Sequence, residues 1–356
     1  MEGDMEKILS LIVPSYNMEK LLPRCLGSLE LNPALMERLE VLVVNDGSKD
    51  RTSEIAHGFA AKWPGTFRVI DKPNGHYGSC INAALKVATG TYVKVLDADD
   101  WLDRECFEKY LLFLVDTVDE KWDCAPDLIL NDFVWVDEAD VPFKTMARSL
   151  PPNLLLDVDD ERVDLGGLYM HAVAYKTAKL RAIGYAQTEG ICYTDNEWCH
   201  YPLAMVEKVA YCNVILYRYL FGRVGQSMER ETRNRNLWMM GAIAIRMARQ
   251  MGTIRVRSGK VCACLTDNFL SVASNTYVPS LIEVHTKESD AQLKKVDDAI
   301  REASSELYEL IDRRIYSHKI NFHFIACWRK TYSSRTLALR LYRFYNRIVR
   351  RCLCSL

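Results

Sequence analysis

Lys94–Asp103 reads KVLDADDWLD. An apolar, strand-like run ends there in four carboxylates, Asp97, Asp99, Asp100 and Asp103. Like charges held close repel and raise one another's pKa. One ordinary reason for such a cluster is a helix start, because Asp is favoured at N-caps and in first turns. The other is a divalent cation, since Mg2+ and Mn2+ prefer carboxylate oxygens and bind through one or two carboxylates plus substrate phosphates. A cap needs one carboxylate rather than a cluster. An Asp-x-Asp alone is a weak signal, so its weight depends on what precedes it.

Upstream, Ile8–Asn17 (ILSLIVPSYN) is a short apolar run closed by Pro14 and reads as a buried strand. Leu22, Cys25, Leu26 and Leu29 follow at helical spacing. Leu39–Ser48 (LEVLVVNDGS) is a second strand ending in a turn, and Asp50 can cap a helix showing Ile55, Phe59 and Trp63. FRVIDKP is a third strand, SCINAALKVATG a helix closed by Gly90, YVKVLD a fourth strand and CFEKYLLFLV a further helix. Continuous apolar strands alternating with amphipathic helices predict βαβ units and a parallel sheet covered on both faces. Ligands of such sheets bind outside the carboxyl ends of the strands. Those ends read PSYN, NDGS, KPNGHYGS and DADDW, all polar and rich in Gly or Asp. Asp97 and Asp99 thus stand fourth in a series of βα turns.

At 356 residues the chain is long enough for two domains. The strand-and-helix pattern grows irregular after Asp127–Asp137 and runs to about Gly225. Long helical patterns then follow, NLWMMGAIAIRMARQM and QLKKVDDAIREASSELYELIDRRI. The predicted division is a catalytic domain over 1–227 and a helical domain over 228–356. A net charge of −1 argues against nucleic acid as a partner. The acidic start MEGDMEKILS does not read as a signal peptide, and no run approaches a membrane span. The 12 cysteines are scattered, many in apolar contexts, as reduced buried thiols would be.

LIVPSYN, VVNDGSKD, NGHYGSCINAALKVATGTYVKVLDADDW and, later, YTDNEW occur in order over residues 8–225. Together they resemble family 2 glycosyltransferases. The resemblance implies an α/β, Rossmann-like GT-A nucleotide-sugar-binding domain, here with a C-terminal helical domain. It implies that Pro14, Ser15 and Tyr16 lie against the nucleobase and that Asp46 reads it, most often as uracil. It implies that Asp97, Ala98 and Asp99 meet the ribose and the metal-bound diphosphate, with Asp99 and Asp97 as ligands of Mg2+ or Mn2+. The family's usual Glu-Asp pair falls on Thr194 and Asp195, which makes Asp195 the catalytic base, with Glu197 a second candidate. Asn82 is kept, but Ile81 stands where many relatives have Arg, so Lys72 and His76 are candidates to supply polarity. Arg218, Arg223, Gln226 and Ser227 are candidates to close over the diphosphate. His171 is a candidate for the acceptor side. The implied activity is inverting transfer from a nucleotide diphosphate sugar, a UDP-sugar first, to a hydroxyl acceptor.

Two rival readings are weaker. A nucleotidyltransferase would carry a Gly- and basic-rich phosphate loop after the first strand, and PSYNMEK is not one. A non-catalytic binding module should have lost its acidic groups, yet Asp46, Asp97, Asp99 and Asp195 are present.

Trp328–Leu356 holds eight basic residues and no acidic one, which leaves the other residues with 38 basic against 47 acidic. In this tail Leu337, Leu341, Phe344, Ile348 and Cys352 share a helical face, with Arg340, Arg343, Arg347, Arg350 and Arg351 on the other side or its margins. Such a helix over 335–356 either lies on an anionic membrane or docks on its own domain with a solvated outer face. The first option suits a lipid-linked acceptor, in a cytoplasmic protein at the inner face of the membrane.

Overall fold

The computed structural model describes residues 6–119, 124–222 and 229–353, with side chains through residue 348. The chain forms two compact units, Met1–Val224 with Val256–Cys264, and Gly225–Arg255 with Leu265–Leu356. The short return of 256–264 to the first unit is held by polar contacts that no helical pattern announces. Ser258 Oγ donates to Asp159 Oδ1 at 2.5 Å, and Lys260 Nζ donates to the carbonyls of Asp160 and Val163.

The first unit opens as the apolar runs predict. Its elements are β1 (Leu9–Ser15), α1 (Leu22–Gly27), α2 (Pro33–Arg38), β2 (Leu39–Asn45), α3 (Thr52–Lys62), β3 (Phe67–Asp71), α4 (His76–Leu85) and β4 (Tyr92–Val95). Strands β3, β2, β1 and β4 are neighbours in that order and all parallel. β1, β2 and β4 are buried along nearly their whole length, as strands covered on both faces are. Leu11, Val13, Val41 and Val43 share one core with Leu22, Leu26 and Phe107. Asp50 accepts from Thr52 N and Oγ1 at the start of α3. Gly90, however, caps nothing, because α4 ends at Leu85. A Cβ at Gly90 would lie 2.5 Å from Ser10 N, so this glycine lets two backbones approach.

The rest of the unit departs from the all-parallel expectation. β5 (Trp101–Leu102), α5 (Arg104–Asp119), β6 (Leu128–Val136), β7 (Pro142–Met146), β8 (Leu155–Asp157), β9 (Val173–Lys176), α6 (Thr177–Ala182), α7 (Asp195–Trp198) and β10 (Lys208–Leu220) complete it. The sheet runs β3-β2-β1-β4-β9-β6-β10-β5, with β7 on β6 and β8 on β10. β9 lies antiparallel to both β4 and β6, and β5 and β8 antiparallel to β10. The sheet is therefore mixed. Parallel neighbours need a helical crossover, and β7–β9 are short strands without one before each.

The second unit is helical. It contains α8 (Arg230–Arg235), α9 (Leu237–Thr253), most of α10 (Gly259–Val278), a π-helical turn at Pro279–Val284, α11 (Lys287–Ala303), α12 (Ser305–Arg314), α13 (Phe324–Arg329) and α14 (Leu337–Leu353). Thr286 and Ser304 cap α11 and α12 with side-chain oxygens. A Cβ at Gly241 of α9 would meet Val296 of α11 at 2.6 Å, so the glycine sets that close packing. Asp297 is fully buried and accepts from Arg329 and from Tyr277 OH. The ten described cysteines are free thiols. No described helix is long and apolar enough to cross a membrane.

Candidate active site

The carboxyl ends of β1, β2 and β4 form one polar rim. Pro14 and the buried Ser15 end β1, and Asp46 N donates to Ser15 O at 2.9 Å. Tyr16, the next residue, is 46% exposed, so its ring is available to a ligand. Asp46 is almost fully buried. Its Oδ1 accepts from Lys72 Nζ at 2.5 Å and from Gly75 N at 2.9 Å. Lys72 also donates to Ser79 Oγ and to the Pro73 carbonyl, so it braces Asp46. Gly47 has φ +73°, and a Cβ there would crowd Asn74 N at 3.0 Å, so the turn after β2 needs glycine.

The acidic turn after β4 divides its labour. Asp100 is 1% exposed and fully engaged, its oxygens accepting from Tyr217 OH and Leu220 N. It ties the turn to β10. Asp103 serves the ordinary role, accepting from Cys106 N at the start of α5. Ala98 is buried, whereas Asp97 and Asp99 are half-buried. Asp97 accepts from Tyr77 OH at 2.8 Å. Burial, with the Asp99 charge beside it, pushes the Asp97 carboxyl up to about 8, against the lowering bond from Tyr77.

Asp195 stands at the first residue of α7. Burial pushes it up to about 6, although backbone donors at its own position and at Asn196 pull the other way. The Asp195 charge also acts on Asp97 and on Tyr77. Two carboxylates from distant parts of the chain thus converge on one tyrosine. His76 and Tyr193, at φ 64° and 68°, stand at the starts of the two segments. Positive φ is uncommon outside glycine and costs about 1–3 kcal/mol, a strain that clusters at functional sites.

Four expectations change place. Glu197 is no candidate base, because it is 1% exposed and its oxygens accept from Thr188 N and Thr188 Oγ1. Asn82 faces the same loop, exchanging hydrogen bonds with Gln187 and donating to Glu189. Arg218 is held between Asp103 and Asp140 at 2.9 and 3.0 Å, so its guanidinium is not free for a diphosphate. His171 lies beneath the acidic turn rather than on an open acceptor face. Its ring packs against Phe133, Tyr217 and Tyr219. Burial and the Lys94 charge push it down to about 3, so it is neutral. Arg223, Gln226 and Ser227 lie outside the described residues.

Asp97, Asp100 and His171 offer ligand atoms within 4.8 Å of one another, and this group could hold a metal ion. His171 Nδ1 has no hydrogen-bond partner among the described residues. The two carboxylates fit Mn2+ or Mg2+. A cation would also reverse the upward push on Asp97. Asp99, expected nearest the metal, is outside this group.

Sequence reading missed several members. Tyr77 was legible only as part of the polar strand end KPNGHYGS. Lys94 sits fully buried in an apolar strand, donating to Asn131 Oδ1 and to the His171 carbonyl. An aromatic shelf begins beside His171. Tyr219 lies 4.7 Å from that ring and 5.8 Å from Trp135, which stacks on Phe221 at 4.6 Å. Phe143 and Phe221 are about half exposed there.

Comparisons with known proteins bear on the family and the fold. Residues 10–120 match the profile of glycosyl transferase family 2. A glycosyltransferase of Mycoplasma pneumoniae, the MG060 homolog, is 30% identical over 62% of this chain and 71% of its own length. The minor teichoic acid biosynthesis protein GgaB of Bacillus subtilis is 35% identical over 29% of this chain and 12% of its own. This chain spans only about a third of the length of other curated relatives it matches. The crystal structure of S. aureus TarS 1–349 in complex with UDP-GlcNAc superposes with a TM-score of 0.67 at 19% identity, covering 96% of this chain and 91% of that one. This supports the GT-A fold with its helical continuation. With Asp46, Asp97 and Asp195 standing on that fold in the family's order, the chain belongs to glycosyltransferase family 2.

Proposed function

We propose that the chain is an inverting glycosyltransferase that moves a sugar from a nucleoside diphosphate sugar, a UDP-sugar first, to a hydroxyl acceptor in cell-surface polysaccharide or glycolipid synthesis. The observation that carries this reading is the convergence of Asp97 and Asp195 on Tyr77, both carboxyls pushed up by burial. Tyr16 supplies a ring for the nucleobase. Asp46, held by Lys72 and Gly75, presents its carboxylate to a base N–H. Asp97 and Asp99 would hold Mg2+ or Mn2+, with His171 beside them, and the cation would offset charge on the departing diphosphate. Asp195 takes the acceptor's proton as general base. A single displacement from the face opposite the leaving group inverts the anomeric centre. The half-exposed aromatic shelf of Trp135, Phe143 and Phe221 is the platform for a glycan acceptor. A lipid-linked acceptor, met at the inner face of the membrane, fits the basic tail.

Calorimetry of UDP with and without Mn2+ tests the donor side. Mn2+-dependent binding in the wild type, lost in Asp97→Asn and Asp99→Asn, supports it. Absence of binding by UDP, GDP and dTDP under all conditions overturns it.

A further inference from the structure

The structure of α14 answers which way its two faces point. Leu339 is fully buried, Tyr342 stacks on Phe324 at 5.5 Å, and Arg343 is 7% exposed, donating to the carbonyls of Leu281 and Ser334. The helix is therefore already docked through this face. A docked helix should turn a polar face to water. Instead Leu337, Leu341, Phe344 and Ile348 are 73%, 60%, 64% and 47% exposed. They recur at i, i+4, i+7 and i+11, one continuous stripe. Arg340 and Arg347 each follow a stripe residue by three positions, so they border it.

A cleft of ≈ 420 Å³ opens beside the stripe, lined by His285, Arg335, Arg340, Arg343, Phe344 and Arg347. Its arginines answer no carboxylate by a described ion pair. Arg343 is pushed down from its usual value by burial and by the neighbouring charges of Arg340 and Arg347, against a small opposing pull from Asp290. Arg335 exerts a pull on Glu288. An exposed apolar stripe beside arginines that form no described ion pair matches the chemistry of one partner, a surface apolar within and anionic at its rim.

We propose that α14 seats the chain on an anionic phospholipid bilayer, with the Leu337–Ile348 stripe in the acyl boundary and the arginine cleft on headgroup phosphates. This deepens the functional reading only in its lipid-linked acceptor, and donor binding stands apart from it. A second copy of the chain is the alternative occupant of the stripe.

The test is co-sedimentation of the full chain with vesicles of phosphatidylcholine alone or mixed with phosphatidylglycerol. The variants are Leu341→Asp with Phe344→Asp, and Arg340→Gln with Arg347→Gln. All four positions are exposed or on the cleft rim, and UDP calorimetry reports in parallel whether each variant is folded. Binding is expected to the anionic vesicles and not to the neutral ones. The aspartates should abolish it, and the paired glutamines should weaken it about 25-fold, from a factor of about five for each arginine. Equal binding to neutral vesicles, no binding to either, or full binding by the aspartate variant overturns the proposal. So does sedimentation equilibrium showing a dimer that the aspartates dissolve while vesicles are ignored. Failure of UDP binding in the folded wild type sinks the donor reading instead and leaves the vesicle result standing.

Discussion

The chain crowds like charges in two places, and it treats them oppositely. In the first unit Asp97, Asp99 and Asp100 gather in a half-buried turn, braced by Tyr77, Tyr217 and the backbone of β10. There the repulsion is expressed in protonation, with Asp97 pushed up to about 8. In the second unit Arg335, Arg340 and Arg347 face solvent around an open cleft. Arginine cannot release its proton at physiological pH, so the repulsion there is met by screening and by whatever anion arrives. A buried cluster selects a small ion of defined geometry. An exposed one selects a surface.

The sharpest way to break this contrast lies beside the acidic cluster. Asp195→Asn should lower kcat by about 10²–10⁴-fold, because an amide cannot take the acceptor's proton, while UDP affinity stays within about threefold. Steady-state kinetics with calorimetry read both. Normal turnover would remove Asp195 from the mechanism.

Next comes pH. The base must be deprotonated, and Asp195 is pushed up to about 6, so kcat/KM should fall about tenfold per unit below pH 6. The Asp97 carboxyl, raised to about 8 in the folded state against about 3.9 unfolded, binds a proton that the unfolded chain lacks between those values. Stability from this group is therefore fully present below about pH 4 and is lost as pH rises through 8. Mn2+ competes with that proton, so its effect on Tm should grow from pH 6 to pH 8, and Asp97→Asn should flatten the trend.

Salt separates the two clusters. Raising NaCl from about 0.1 to about 1 M shortens the screening length from ~10 to ~3 Å. Vesicle co-sedimentation should collapse over that range, while Mn2+-dependent UDP binding should change by only about threefold. Equal losses would show that the acidic turn is as open to solvent as the arginine cleft.

Glu197→Gln should have the smallest effect. Its amide would face Thr188 N–H, costing about 1–3 kcal/mol of stability, read as a Tm shift. Turnover should stay within severalfold, unlike that of Asp195→Asn.

The four strand ends were legible because buried parallel strands leave unbroken apolar runs with polar turns behind them. What followed was not. β5, β8 and β9 are two to four residues long, too short for any periodicity to register. Lys94 interrupts an apolar strand as an edge residue would, yet Asn131 and backbone carbonyls satisfy its ammonium inside the protein. Glu197 and Asp195 look equivalent in TDNEW. Only the fold shows that one faces Thr188 while the charge of the other acts on Tyr77 and Asp97. The apolar stripe of α14 was visible as a pattern, but a pattern does not say which side faces solvent.

The first eight residues or so of the α4 region have a further consequence. Gly75 and Ser79 serve Asp46 and Lys72, Tyr77 holds Asp97, and Asn82 grips Gln187. At Gly78 an added Cβ would lie only 2.1 Å from the Thr188 carbonyl. Each contact leaves the helix in a different direction. One inserted or deleted residue would swing everything beyond it by about 100°, and the contacts to Asp46, Asp97 and the loop at Gln187 would lose their alignment together. Residues 75–82 should thus be the stretch of the chain least able to change length, whatever freedom its composition has.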